Sequence, residues 1–174
     1  MSGQVALAKH GAVAEICLDR PYKHNAMTPA MAAQLSEACA DINRDDEIRC
    51  AIIYGAGEKA FCAGSDVRAL DEYPSVFHFR NRIDYSTELR SVRKPVIASL
   101  KGWTLGGGLE LALSADVRIA APSTRLGAPE VGLGWVGAGG ASQLLPRLVG
   151  CPVFLDGLRF RHVNQYNPLD TCLG

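Results

Sequence analysis

The sequence predicts an α/β domain, and two observations carry that expectation. The first is a recurring unit: a short apolar strand, a glycine-containing loop, then helical residues. It appears as "EICLD…NAM…helix", "AIIYG…AGS…helix", "VIASL…GGG…helix" and "VRIAA…GAGG…helix". The unit has no fixed period, so it implies a domain wound from similar turns whose loops could together build a site. The second is composition. A chain of 174 residues with 48% hydrophobic and 21% charged residues can bury one sizeable core.

In chain order, Val5–Leu7 and Val13–Leu18 read as two strands around a turn at His10-Gly11. Ala14, Ile16 and Leu18 alternate with Glu15, Cys17 and Asp19, the period of a half-buried strand. "RPYKHNAM" is a loop broken by Pro21 and Asn25. Thr28 has the chemistry of an N-cap and Pro29 that of a first helical residue. Met31, Leu35, Cys39 and Ile42 follow at helical spacing, so Pro29–Asn43 is an amphipathic helix. Cys50–Tyr54 is a buried strand closed by "GAGEKAFCAGS", and Ser75–Ser91 is helical. "KPVIASL" is a strand with Pro95 at its start, where a missing N–H is tolerated. "GWTLGGG" leads into a helix at Gly107–Ser114, and "DVRIAA" is a strand. "LGAPEVGLGWVGAGG" reads as a long glycine-rich loop, and "ASQLLPRLVG" as a helix that Pro146 interrupts or kinks.

Charge and cysteine usage exclude several classes. Lys+Arg and Asp+Glu both number 18, which leaves no electrostatic footprint for nucleic acid or an anionic membrane. The local cluster "LRSVRK" reads as a solvated face. The most apolar stretch, Leu105–Ala121, is broken by Glu110, Asp116 and Arg118, so no transmembrane helix is expected. "MSGQVALAKHG" lacks the regions of a secretory signal, and the expected location is the cytoplasm. Cys17, Cys39, Cys50, Cys62, Cys151 and Cys172 form no C-x-x-C pair and are expected as free thiols. The four histidines show no metal-ligand spacing, so no metal is expected. Gly132-x-Gly134-x-x-Gly137 matches the dinucleotide fingerprint in letters, but the preceding "TRLGAPEV" is no buried strand. Ser91-x-x-Lys94 lacks the companion elements of a serine–lysine nucleophile.

Two glycine-rich places remain, "FCAGSD" at Phe61–Asp66 and "GGGLE" at Gly106–Glu110. Each follows a buried strand and leads toward helical residues. Glycine lets a carbonyl approach the backbone closely, and first-turn amides lack intrahelical acceptors. Two such amides from different loops would form an oxyanion hole; the rival reading is that the glycines only permit tight turns and close packing. Two carboxylates complete the set. Glu110 stands among Leu109, Leu111, Ala112 and Leu113, and Glu130 lies in a loop with little other charge. Carboxylates sharing a desolvated site push their pKa values apart, so that one serves as base and the other as acid.

These residues resemble the crotonase superfamily, specifically its enoyl-CoA hydratases and isomerases. The resemblance rests on "AFCAGSDV", "KPVIASLKGWTLGGGLELALSADVRIAA" and "LGAPEVGLGWVGAGGASQLLPRLVG", with "LDRPYKHNAM" near the start, and spans about Val5 to Gly150. It implies a spiral of repeated ββα units and a coenzyme A thioester substrate, with no cofactor beyond the coenzyme A that the substrate carries. It places the oxyanion-hole amides on Ser65 and Gly107, the catalytic carboxylates on Glu110 and Glu130, and substrate contacts on Ala63, Gly64, Asp66 and Gly106. By this analogy Glu110 takes a proton from water and Glu130 delivers one to C2. The alternatives are an isomerase, which needs one carboxylate, and a non-catalytic binding or assembly subunit. A homo-oligomer, trimer or hexamer, is also implied.

After "LPRLVG" the resemblance stops. "CPVFLDGLRFRHVNQYNPLDTCLG" has neither helical periodicity nor family character, and family members usually continue with further helices. The expectation is an acyl-CoA-binding core at 1–150 and an atypical tail at 151–174, from an early stop, a frame change or an alternative ending.

Overall fold

The structure, a computed structural model, describes residues 3–69, 73–135, 137 and 139–150. The tail expected at 151–174 lies outside the described residues.

Two strands open the fold, β1 (Gln4–His10) and β2 (Val13–Asp19), paired antiparallel from Gln4↔Asp19 to His10↔Val13. They enclose the predicted turn at Gly11. The next three units each place one strand in each of two sheets. The first supplies β3 (Cys50–Gly55) and β4 (Ala60–Cys62). The second supplies β5 (Val96–Leu100) and β6 (Trp103–Leu105), and the third β7 (Val117–Ala120) and β8 (Arg125–Gly127). The larger sheet runs β1-β2-β3-β5-β7 and the smaller β4-β6-β8. All pairs beyond the first hairpin are parallel, as a chain wound in one direction requires. This is the spiral of ββα units that the resemblance implied.

Helix α1 (Pro29–Arg44) covers one face of the larger sheet. Thr28 caps it by accepting from the Met31 amide, and Pro29 occupies the first turn. Its buried Met31, Leu35, Cys39 and Ile42 join Ile16, Leu18, Ile53 and Ala98 in the main core. The period-2 alternation in β2 is real: Ala14, Ile16 and Leu18 are buried and their neighbours are not. Of the cysteines, Cys39 and Cys62 are buried, Cys17 and Cys50 half-buried, and all four are free thiols.

The structure corrects the predicted helix at Ser75–Ser91. It is two short helices, α2 (Val76–Arg80) and α3 (Tyr85–Arg90). Asp84 explains the break. Its carboxylate accepts from the Ser86 amide at 3.0 Å and the Thr87 hydroxyl at 2.8 Å, starting a new helix. The glycine-rich stretch from Leu126 is also more ordered than a loop, containing the end of β8 and a 3₁₀ turn at Pro129–Leu133. That turn, not a strand, precedes Gly134, which removes the dinucleotide reading. Helix α4 (Gly107–Leu113) matches its prediction within a residue. Helix α5 (Ala141–Val149) continues past Pro146. The bond that proline forfeits would have reached the carbonyl of Ser142, which is exposed to solvent.

The early loop "RPYKHNAM" braces the first glycine-rich segment. Ala63 donates to the His24 carbonyl at 3.0 Å, Met27 to Gly64 at 2.8 Å, and Asp66 to Met27 at 2.8 Å. Asn25, fully buried, accepts from the Arg20 amide and donates to the Ala56 and Ala60 carbonyls. Three backbone bonds and one buried amide thus fix the loop in which Ser65 lies.

Candidate active site

The two glycine-rich segments meet because both follow strands of the smaller sheet, β4 and β6, which are neighbours. Gly64 has φ +92, a left-handed conformation. A Cβ there would lie 3.0 Å from the Gly107 nitrogen and 3.0 Å from the Leu105 oxygen. A Cβ on Gly108 would come within 2.0 Å of the Cys62 carbonyl oxygen. Glycine at both positions is therefore what lets α4 start against β4.

Between them the segments present two open amides. Gly107 is the first residue of α4, so its N–H has no intrahelical acceptor. The Ser65 N–H is likewise unused: the bridge to Met27 engages the Gly64 carbonyl and the Asp66 amide instead. Neither Ser65 nor Gly107 donates its amide to another described residue.

A pocket of about 350 Å³ opens over these amides. Its lining includes Ala63, Gly64, Ser65, Gly106, Gly107, Glu110 and Glu130 from the sequence-derived set. Asp66 is not among them. Its carboxylate pairs with Arg20 at 2.7 Å, and that bond holds its pKa below the ordinary carboxylate range. Asp66 therefore ties the Ser65 loop to the early loop rather than facing the pocket.

Glu110 projects from α4 and is only 7% exposed. Its Oε1 accepts from the Ala141 amide at 3.2 Å, at the start of α5. Glu130 arrives from the 3₁₀ turn after β8. The two carboxylates face the same small space: a Cβ on Gly137 would lie 3.0 Å from Glu110 Oε1 and 3.2 Å from Glu130 Oε1. Burial pushes the Glu110 pKa up, the Ala141 amide pulls against it, and the Glu130 charge pushes it further up. Burial also raises Glu130. Glu130 Oε2 is buried with no hydrogen-bond partner among the described residues, and so is Ser86 Oγ. An unpaired carboxylate oxygen is costly to keep unless something else pairs with it.

Sequence reasoning missed several lining residues: Val67, Arg80, Arg82, Ile83, Asp84, Tyr85, Pro129, Trp135 and the glycines at 137 and 139. Half of them come from the segment read as one helix. Arg82 stacks over Phe79 with its guanidinium carbon 4.2 Å from the ring centroid, and donates to the Phe79 carbonyl at 2.8 Å. Among the described residues no group of His, Cys, Asp and Glu could hold a metal ion, and no helix is long and apolar enough to cross a membrane.

Comparison with known proteins adds a family and a fold. The family model for enoyl-CoA hydratase/isomerase matches residues 13–155. The short-chain-enoyl-CoA hydratase of Clostridium acetobutylicum is 39% identical over 151 residues, which are 84% of this chain and 57% of that protein. The crotonyl-CoA hydratase of Syntrophomonas wolfei is 35% identical over 150 residues, again 84% and 57%. The crystal structure of an enoyl-CoA hydratase from Bacillus anthracis is similar at a TM-score of 0.83 and 34% identity, over 90% of this chain and 62% of its own. The chain spans a little over half the length of these curated relatives.

Proposed function

The chain belongs to the enoyl-CoA hydratase/isomerase family, and from that premise we propose that its pocket adds water across the C2=C3 double bond of an enoyl-CoA thioester. The observation that carries this reading is the convergence of Glu110 and Glu130 on one space beside Gly137, in a pocket that also exposes the Ser65 and Gly107 amides.

The thioester oxygen accepts from the Ser65 and Gly107 N–H groups. Glu110, ionised, takes a proton from water as the water oxygen bonds to C3. The π electrons move through C2 onto the thioester oxygen, where the two amides stabilise the enolate; one such donor is typically worth on the order of 10²–10³ in rate. Glu130, protonated, then gives its proton to C2 and the carbonyl re-forms. The proton on Glu110 then passes to Glu130, directly or by exchange through solvent, which restores the pair. The raised pKa of Glu130 suits an acid, and its unpaired Oε2 is a group that water or substrate would satisfy. The Ala141 amide donates to Glu110 and opposes the upward push of burial on its pKa, which supports the role of base.

A second carboxylate in the same space supports hydration over isomerisation, since shuttling one proton between carbons needs only one. A homo-oligomeric assembly, as in the family, is part of the same proposal.

The test is to incubate the purified chain with crotonyl-CoA and follow the absorbance of the conjugated enoyl thioester. Loss of absorbance with formation of the 3-hydroxyacyl product supports the reading. Thioester binding by calorimetry with no turnover would instead favour a non-catalytic binding subunit.

A further inference from the structure

The phenol of Tyr85 stands against both residues whose amides face the thioester oxygen. Its hydroxyl is 3.0 Å from Ser65 Oγ. Over Gly107 it fills the space a side chain would take: a Cβ there would lie 1.9 Å from the hydroxyl and 3.0 Å from Cζ. The same residue lines the pocket. Resting on the thioester reading above, we propose that the Tyr85 hydroxyl is a third hydrogen-bond donor to the thioester oxygen, beside the Ser65 and Gly107 amides.

Hydrogen-bond arithmetic supports this. Ser65 and Tyr85 each carry one hydroxyl proton, and their mutual bond uses one of the two. One proton is left over to point elsewhere. A phenol is far more acidic than an aliphatic alcohol, so it is the stronger donor to an oxygen gaining negative charge. The arrangement of lowest energy during the reaction has Ser65 donating to Tyr85 and Tyr85 donating to the pocket. Burial raises the phenol pKa, with the nearby Glu110 charge acting in the same direction, so the donor proton is retained.

The hydroxyl is also held in place before any ligand arrives. The Tyr85 ring packs against the main core. Its helix α3 is pinned at the far end: Ser36 donates to Glu88 at 2.7 Å, and Arg90 donates to Ser114 Oγ at 2.8 Å and to the Gly139 carbonyl at 2.7 Å. A donor fixed in advance costs no reorganisation when charge develops, which is the condition for oxyanion stabilisation.

The experiment uses the full chain with Tyr85→Phe, Ser65→Ala and the double variant. Two readouts are taken: kcat and KM for crotonyl-CoA, and the ¹³C shift of the C1 carbonyl of bound, labelled crotonyl-CoA. Tyr85→Phe is expected to lower kcat by on the order of 10-fold, with KM little changed, and to reduce the downfield carbonyl shift. Ser65→Ala keeps the amide and is expected to lose less. Added to Tyr85→Phe it should lose nothing further, because its hydroxyl acts through Tyr85. A wild-type kcat and carbonyl shift in Tyr85→Phe would overturn the proposal, and so would a raised KM at unchanged kcat. A chain that binds the thioester without turning it over defeats the hydration reading alone, and the carbonyl shift still decides the role of Tyr85. A chain that binds no thioester defeats both.

Discussion

The Glu110 carboxylate accepts a hydrogen bond from the Ala141 amide at 3.2 Å, so the side chain assigned as base also caps the helix that follows the site. Ala141 is the first residue of α5, whose own N-cap, Gly140, offers no side chain. One group thus serves two purposes, and the two separate by substitution. Glu110→Gln keeps an oxygen for the Ala141 amide and removes the base. Glu110→Ala removes both. The expected result is loss of turnover in both variants, with Glu110→Ala less stable than Glu110→Gln by about 1 kcal/mol, the usual worth of a cap. Chemical denaturation of the two proteins measures the difference.

Glycine substitutions around the site should divide by what they meet. A Cβ on Gly139 would lie 2.6 Å from Glu110 Oε2, the far end of a side chain that can move. A Cβ on Gly108 would meet the Cys62 carbonyl at 2.0 Å, which is backbone. Gly139→Ala is expected to displace the Glu110 carboxylate and lower kcat by roughly 100-fold while the melting temperature changes little. Gly108→Ala is expected to destabilise the fold by about 1–3 kcal/mol or more, because β4 and α4 must separate. Thermal melts beside rate measurements test the contrast.

The pH dependence follows from the direction of the carboxylate shifts. Glu110 and Glu130 are both raised, chiefly by burial. The reaction needs the pair singly ionised, so kcat/KM should be bell-shaped, with its acid limb above the ordinary glutamate value of about 4.3. For stability the sign is the reverse of a salt-bridged carboxylate. A carboxyl whose folded pKa is raised contributes stability below its unfolded pKa, which is lost as pH rises through the folded value. Compared with Glu130→Gln, the wild type should therefore lose stability between acid and neutral pH. A gap in melting temperature that stays constant across that range would contradict the assignment of Glu130 as a buried, raised carboxyl.

How far the sequence revealed the site depended on how local each signal was. Glu110 stood out because a charge among Leu109, Leu111, Ala112 and Leu113 is expensive to bury, and the structure places it nearly buried, with a backbone donor. The strands of the larger sheet were legible where the signal ran over five or more residues, as alternation in β2 and as an unbroken apolar run in β3. The strands of the smaller sheet are three residues each, too short for a period of two to register. That sheet brings the two glycine segments together, so their meeting could be proposed from resemblance but not from pattern. Tyr85 was invisible for a related reason. Its partner Ser65 is 20 residues away, and its own segment is two short helices joined by irregular backbone. Asp66 adjoins the same motif, but its carboxylate pairs with Arg20 and it is not among the pocket's lining residues, a distinction that only the fold makes.

The central claim is that Glu110 and Glu130 act together as base and acid in one pocket. The most direct measurement is crotonyl-CoA hydration by the wild type, Glu110→Gln and Glu130→Gln, with calorimetric binding of crotonyl-CoA on all three. The account predicts hydration by the wild type, its loss in each variant by several orders of magnitude, and retained binding in both. Turnover by either variant at the wild-type rate would contradict it.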